Sequence, residues 1–121
     1  MPRQAPAPET FLPLTPVVFE ILLSLAGGER HGYSIMQEVE SRSGGSVALR
    51  AGSLYRALAR LLDDGLVEEL DERRDPQDDE RRRYYRLTSA GQHVASAEAR
   101  RLARQIDTAR ARRLLRHSGK A

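Results

Sequence analysis

The sequence of 121 residues contains no cysteine and no tryptophan, and its single lysine is Lys120. Without cysteine there is no disulfide and no thiolate metal site, and without an internal lysine there is no Schiff-base or phosphate-loop lysine. No apolar run approaches the roughly 20 residues that a membrane helix needs. The N-terminus also lacks the basic-then-apolar pattern of a secretory signal. We therefore expect a cytoplasmic protein that does not bind a membrane.

The residues that remain do not assemble into an enzyme. The three histidines, His31, His93 and His117, fall on separate predicted elements without metal-ligand spacing. Gly44 and Gly45 follow a predicted helix rather than a strand, and no lysine comes after them, so they do not form a phosphate-binding loop. We expect no catalysis, no metal and no cofactor.

The net charge of +3 is unevenly distributed along the chain. Residues 29–90 carry 11 arginines against 13 acidic residues, whereas residues 91–121 carry eight basic residues against two acidic ones. Overall basicity therefore says little about nucleic-acid binding in the first 90 residues. Whether this part of the chain can bind nucleic acid depends on the placement of individual arginines.

Apolar residues recur at helical spacing in four segments. Thr15 is a favoured N-cap, and Pro16 suits the first helical position. In the third segment four leucines form one stripe, and Ser53, Arg56 and Arg60 lie on a different face. The predicted helices begin and end near residues 15–27, 31–42, 53–64 and 88–116.

Between the third and fourth helices the period changes to that of strands. Residues 66–70 and 82–87 read as two strands, and the charged residues 71–81 between them read as a long hairpin loop. Three helices, a hairpin and a last helix form a mainly α fold with a small β-hairpin, the winged helix-turn-helix. The predicted regions are a disordered proline-rich arm (1–13), the winged domain (14–90) and a C-terminal dimerisation helix with its tail (91–121).

The last predicted helix carries a thin apolar seam. Its members are spaced four, three, four and three residues apart, as in a heptad repeat. The seam can pack along the first helix of its own chain or along a partner chain, and we favour a second copy. The predicted dimerisation residues are Ala95, Ala99, Leu102, Ile106 and Ala109.

Five short segments resemble one family in the same order. They are Leu14–Pro16, His31–Ile35, Gly52–Leu58, Gly65–Val67 and Arg82–Thr88. Through them, residues 14–90 resemble the PadR family of bacterial transcriptional regulators, in its compact branch with one short C-terminal helix. The resemblance implies DNA binding through the third helix and the wing.

Two positions depart from the family pattern. Ala51 stands where the family usually has proline before its recognition helix. The chain also lacks the tryptophan with which some members bind flat aromatic ligands at the dimer interface. The sequence therefore identifies no small-molecule effector.

The candidate DNA contacts follow from position and chemistry. Arg56 and Arg60 can reach phosphate or a guanine edge, although Arg60 can instead pair with a neighbouring aspartate. Tyr33 can donate to phosphate or simply pack with its hydroxyl exposed. The predicted DNA-binding residues are Tyr33, Ser53, Tyr55, Arg56, Arg60, Arg81 and Arg82.

These features predict a homodimeric repressor of double-stranded DNA. Helix 53–64 and the wing 71–83 of each subunit would read one half of a pseudo-palindromic operator. The alternative is a winged-helix module that binds a protein, which the net negative charge of residues 29–90 favours. RNA binding has thin support, because aromatic residues make up only 5% of the chain.

Overall fold

Four α-helices stand out in the computed structural model, which describes residues 6–74 and 81–116. Two of them begin at the predicted threonine caps. Thr15 Oγ1 accepts the Val18 N–H at 3.2 Å, and Thr88 Oγ1 accepts the Gly91 N–H at 3.0 Å. These bonds satisfy amides that the helix itself leaves without an acceptor. The helices are α1 (Pro16–Ala26), α2 (Gly32–Ser43), α3 (Ala51–Asp63) and α4 (Ser89–Ala111).

The wing is antiparallel. Its strands are β1 (Arg30–His31), β2 (Val67–Glu69), β3 (Arg73–Arg74), β4 (Arg81–Arg82) and β5 (Tyr84–Leu87). Strand β5 lies between β1 and β2, with His31 opposite Tyr84 on one edge and Val67 opposite Leu87 on the other. Farther out, β3 pairs with β4.

The predicted hairpin differs from the structure in two respects. The predicted loop 71–81 contains paired residues at both of its ends, because the β3–β4 ladder continues the hairpin outward. Strand β1 was not predicted, since two residues are too short to show the period of a strand. Residues 75–80 of the predicted wing lie outside the described residues.

One hydrophobic core joins the helices to the base of the wing. Leu54, Leu58 and Leu61 of α3 are at most 3% exposed, as their spacing predicts. The other core residues are Ile21, Leu22, Leu25, Ile35, Val39, Leu66, Val67, Tyr85, Val94 and Ala95. None of the helices in residues 6–74 and 81–116 combines the length and the apolar character that a membrane crossing requires. The fold is a winged helix-turn-helix with one additional helix.

Helix α4 passes very close to the base of the wing. A Cβ atom built on Gly91 would overlap the backbone carbonyl of Leu66, and would press on the Leu87 side chain at 3.2 Å. Only glycine therefore allows α4 to begin where it does. Thr88 also fixes this approach, because its hydroxyl donates to the Gly65 carbonyl at 2.6 Å.

The segment before α1 is structured where the structure describes it. Pro8–Phe11 form a 3-10 turn, and Phe11 and Leu12 pack against the core. The prediction of a disordered arm over residues 1–13 is therefore wrong for this turn, because its two apolar side chains find a place against α4. Residues 1–5 of that arm lie outside the described residues.

Glu98 of α4 is the charged residue that holds this segment. Its side chain is 2% exposed and accepts the backbone N–H of Leu14 at 2.9 Å. Arg101 donates to both carboxylate oxygens, at 2.6 and 3.0 Å. The bonds from Arg101 lower the pKa of Glu98 below its ordinary value, against the opposing effect of burial. A buried charge is tolerated here because its oxygens are satisfied.

We expect Glu98→Gln to lower the free energy of unfolding at pH 7 by about 1.5–3 kcal/mol, the range for hydrogen bonds to a charged group. Because the pKa of Glu98 is lowered on folding, its stabilisation is present above the unfolded pKa of about 4.3 and is lost as the pH falls through the folded value. Urea unfolding of both proteins between pH 7 and pH 3 should therefore show a difference that shrinks with acid.

The matched control is Glu68→Gln, which removes an exposed carboxylate paired with Arg86 at 2.9 Å. A surface pair of this kind contributes at most about 1 kcal/mol. Equal losses at pH 7 for the two variants would contradict the assignment of Glu98 as the buried anchor.

Helix α4 ends earlier than the sequence predicts. The predicted helix runs toward Arg116, whereas the structure ends it at Ala111. Arg113 adopts a left-handed conformation (φ 63°), and the Leu114 N–H bonds back to the Ala109 carbonyl at 2.8 Å. This six-to-one bond is the Schellman ending, which usually has glycine at the left-handed position. Without a glycine, the sequence gives no sign of it.

Candidate nucleic-acid interface

The face of α3 opposite the leucine stripe is open to solvent. Tyr55, Arg56 and Arg60 are exposed, and Ser53 is half-buried beside them. Three of the predicted DNA-binding residues, Ser53, Arg56 and Arg60, therefore share one face of α3, and Tyr55 lies beside it toward α2. The leucines bury the other side of α3, so this face is the one that a groove can receive.

The two arginines of this face differ in their surroundings. Arg60 lies 3.6 Å from Asp64 through its Nε, while its side chain stays 81% exposed. This is the neighbouring aspartate pair that the sequence offers as the alternative role of Arg60. Arg56 makes no ion pair with any residue in 6–74 or 81–116. Of the two, Arg56 has its guanidinium available for a new anion.

The N-terminus of α3 leaves its first amides open. Arg50 is the N-cap, and its side chain makes no capping hydrogen bond. The Leu54 N–H, which bonds to the Arg50 carbonyl at 2.9 Å, begins the helical ladder. The N–H groups ahead of it are the ones that favour a phosphate, with the helix dipole adding to the attraction.

Arg50 lies beside the predicted site residues, although its sequence position did not predict this. The predicted helix begins at residue 53, whereas the structure begins it at Ala51 and exposes Arg50 at its cap. A helix start placed two residues earlier would have put this cation beside Ser53. Arg50 has no side-chain acceptor of the kind that marks a usual N-cap, so residue type alone does not indicate that the helix begins there.

Two tyrosines connect α3 to the start of α2. Tyr33 and Tyr55 are each 48% exposed, and the hydroxyl end of Tyr55 lies against Gly32. A Cβ atom on Gly32 would overlap the Tyr55 hydroxyl. His31 caps α2, with its Nδ1 accepting the Ser34 N–H at 3.1 Å, which confirms its prediction as a helix-start residue.

The wing brings Arg81 and Arg82 into different environments. Arg81 is exposed, whereas the Arg82 guanidinium lies 5.3 Å from the centre of the Tyr33 ring. At the base of the wing, burial raises the pKa of Tyr85, and the Glu69 carboxylate adds to this effect. Tyr85 is only 5% exposed and is therefore a core residue rather than a DNA-facing one.

The apolar seam of α4 is divided between two environments. Ala95 is only 7% exposed because it belongs to the core of its own chain, so the structure removes it from the predicted dimerisation surface. The rest of the seam is more accessible, and Ile106 is 40% exposed. We define these residues as the distal seam: Ala99, Leu102, Ile106 and Ala109.

The described residues contain no cluster of histidine, aspartate and glutamate that could hold a metal ion. The chemistry of the open α3 face is instead that of cations, hydroxyls and amides. Such groups recognise phosphate and base edges.

Comparison with known proteins gives this surface its context. The family model described as the transcriptional regulator PadR-like family matches residues 21–97. An uncharacterized 37.1 kDa protein in transposon TN4556 of Streptomyces fradiae is 42% identical over 69% of this chain, and the match spans 22% of that protein. Protein X of Lysinibacillus sphaericus is 33% identical over 63% of this chain and 68% of its own.

Solved structures share the fold. A PadR family transcription regulator from Clostridium difficile superposes with a TM-score of 0.67 at 21% identity, covering 80% of this chain and 97% of that one. RosR of H. salinarum superposes with a TM-score of 0.59 at 28% identity, covering 81% and 79%. Since the family model matches more than half of the sequence, the chain belongs to the PadR-like family of transcriptional regulators.

Proposed function

We propose that this regulator acts in the cytoplasm as a homodimeric repressor that reads a pseudo-palindromic operator. The observation that carries the proposal is the open face of α3, where Arg56 lies without an ion-pair partner among the described residues. In a winged helix-turn-helix this helix enters the major groove. Arg56 would bind a guanine edge or a phosphate there, and the free amides at the α3 N-terminus would hold the adjacent phosphate.

Four further candidates have supporting roles in this proposal. Ser53 and Tyr55 would donate hydroxyls to the phosphates that flank the groove. Arg60 would contribute less than Arg56, because it would have to leave Asp64. Arg81, at the exposed edge of the wing, would contact the backbone or the minor groove.

The distal seam supplies the proposed contact between subunits. Its apolar side chains are small except for Leu102 and Ile106, so the seam alone is a modest interface. Pairing through α4 would place the two α3 helices to meet successive major grooves, about 34–36 Å apart. Two half-sites are needed because the open face of a single α3 is small. Repression then follows from occupancy of the promoter.

The direct test is a gel-shift of the full chain on the DNA upstream of its own gene, with random DNA of equal length as competitor. The expected result is retardation that the competitor does not remove at moderate salt. The affinity should fall steeply with salt, with a logarithmic slope of about −0.9 per phosphate contacted. No preference over random DNA would count against the proposal.

The same titration tests the alternative of a protein-binding module. That alternative is favoured by residues 29–90, where acidic residues outnumber arginines by 13 to 11. A mainly apolar protein interface would show little dependence on salt. A flat salt dependence, together with a captured protein partner, would support the module instead.

We expect Ile106→Glu to convert the dimer to a monomer, because the carboxylate would have to leave water to pack against the partner's apolar seam. The matched control is Gln105→Glu, which places the same charge one position along α4 at an exposed residue. Sedimentation velocity should give a dimer for the control and a monomer for Ile106→Glu, with weakened operator binding. A dimeric Ile106→Glu would show that the subunits pair through another surface.

A further inference from the structure

The start of α2 and the wing are joined by a ladder of side chains. Strand β1 pairs with β5, and His31 meets the Tyr84 ring edge to face, with centroids 5.4 Å apart and planes at 87°. The strand pairing ends at His31, and Tyr33 lies in the first turn of α2, next to Arg82 of β4. At that position the guanidinium of Arg82 lies over the Tyr33 ring, 5.3 Å from its centre. A cation at this distance from an aromatic face is attracted to it.

The same segment of α2 also contacts the recognition helix. The hydroxyl end of Tyr55, an α3 residue, lies where a side chain on Gly32 would begin. A continuous path of contacts therefore leads from α3 through Gly32 and Tyr33 to Arg82 in the wing. Each step is a contact between neighbouring groups, and the path is only four residues long.

The outer strands of the wing contribute little to the hydrophobic core. Strands β3 and β4 consist of arginines only, so they bring no apolar side chain to the core. The nearest core residue of the wing is Tyr85, which lies at its base. A contact at β4, in the outer part of the hairpin, can therefore fix the angle between the wing and α3.

We propose that Tyr33 and Arg82 are positioning residues that brace the wing at a fixed angle to α3. The inference rests on the proposed function, because it concerns how two reading elements are held for one DNA site. Tyr33 acts through its ring, and its hydroxyl is not essential. Arg82 acts by lying on that ring, and any phosphate that it meets is secondary. The pair brings the wing and α3 to DNA in one preset arrangement.

The brace can be tested in the free protein by NMR. In the parent, the Arg82 side-chain Hδ resonance should be shifted upfield by the ring current of Tyr33. Tyr33→Phe should keep this shift, whereas Tyr33→Leu should abolish it and speed amide exchange in residues 81–83. An Arg82 resonance that is the same in the parent and in Tyr33→Leu would overturn the proposal. Tyr33 is half-exposed, so these variants leave the core intact.

Operator binding supplies the second measurement, a double-mutant cycle. Tyr33→Leu and Arg82→Met should each weaken binding, and the double variant should be about two- to five-fold tighter than additivity predicts, the range of an exposed cation–π pair. Arg81→Met removes the same charge from the neighbouring exposed position, and its effect should add to that of Tyr33→Leu. Tyr33→Phe should bind like the parent.

The outcomes separate the brace from the proposed function. Additive effects of Tyr33→Leu and Arg82→Met would overturn the brace, as would an equal loss for Tyr33→Phe and Tyr33→Leu, which would assign Tyr33 a hydroxyl contact. If the parent shows no operator preference, the proposed function fails. The ring-current measurement then still decides whether Arg82 is held by Tyr33.

Discussion

Gly91→Ala should destabilise the protein by about 3 kcal/mol, at the upper end of the range for overpacked cores. The added Cβ would overlap the Leu66 carbonyl, which is backbone and has no rotamer to change. Helix α4 would have to move away from the wing, and the bond from Thr88 to the Gly65 carbonyl would be lost with it. In thermal unfolding this corresponds to a fall in Tm of about 10 °C or more.

The matched control for this substitution is Gly52→Ala in α3. Gly52 is also helical, but its added Cβ would meet nothing closer than an Arg56 nitrogen at 3.6 Å. Because alanine is the better helix former, the control should gain about 0.5–1 kcal/mol. Opposite signs for the two variants in calorimetry are the expected result. A neutral Gly91→Ala would mean that α4 lies farther from Leu66 than the structure places it.

Arg56→Ala should abolish specific operator binding while leaving the fold intact. A bidentate arginine contact to a base contributes about 1–3 kcal/mol of discrimination, and a homodimer would lose it in both subunits. We therefore expect the ratio of operator affinity to random-DNA affinity to fall by at least about 30-fold. Circular dichroism and Tm should stay at parental values, because the side chain is exposed and makes no ion pair with a described residue.

The control for Arg56 must remove the same charge elsewhere. Arg104 is exposed on α4 and does not belong to the α3 face, so Arg104→Ala measures the loss of long-range attraction. It should lower operator and random-DNA affinity by similar small factors. If Arg56→Ala behaves like Arg104→Ala, Arg56 contacts at most phosphate, and the base-reading residue lies elsewhere on the surface.

Much of the fold could be predicted because local chemistry and the hydrophobic pattern agree. Thr15 and Thr88 are caps in the structure as in the sequence, and three of the four α3 leucines are buried at their predicted spacing. These are short-range signals, contained within one or two turns of helix. The period change at residue 66 likewise marks the hairpin, since alternation needs only its own strand to be visible.

What escaped prediction depends on contacts between distant parts of the chain. The bond from the Leu14 N–H to Glu98 joins residues 84 apart, and neither residue reveals the other in the sequence. The early end of α4 depends on Arg113 in a conformation that favours glycine. In both cases tertiary packing selects a state that local propensity does not indicate.

The candidate site was predicted in the same uneven way. The side of α3 that carries Arg56 follows from periodicity alone. For Arg60 the sequence allowed either DNA contact or pairing with a neighbouring aspartate, and the structure shows the pair with Asp64. The heptad spacing that suggested Ala95 as a dimer contact is blind to which neighbour buries it. An apolar seam can pack against the same chain or against a second subunit, and Ala95, the first residue of this seam, packs in the core of its own chain.

The division of α4 at Glu98 has a consequence for the protein's behaviour on dilution. The part of α4 up to Glu98 packs against its own chain. The rest of the helix, residues 99–111, is about as short as an isolated helix can be before it becomes only marginally stable in water. In the proposed dimer, the folding of residues 99–111 into a helix is therefore coupled to the association of the two subunits. Helicity and melting temperature should then both rise with protein concentration. The helical content of α4 in the cell would therefore depend on how much of the regulator is made.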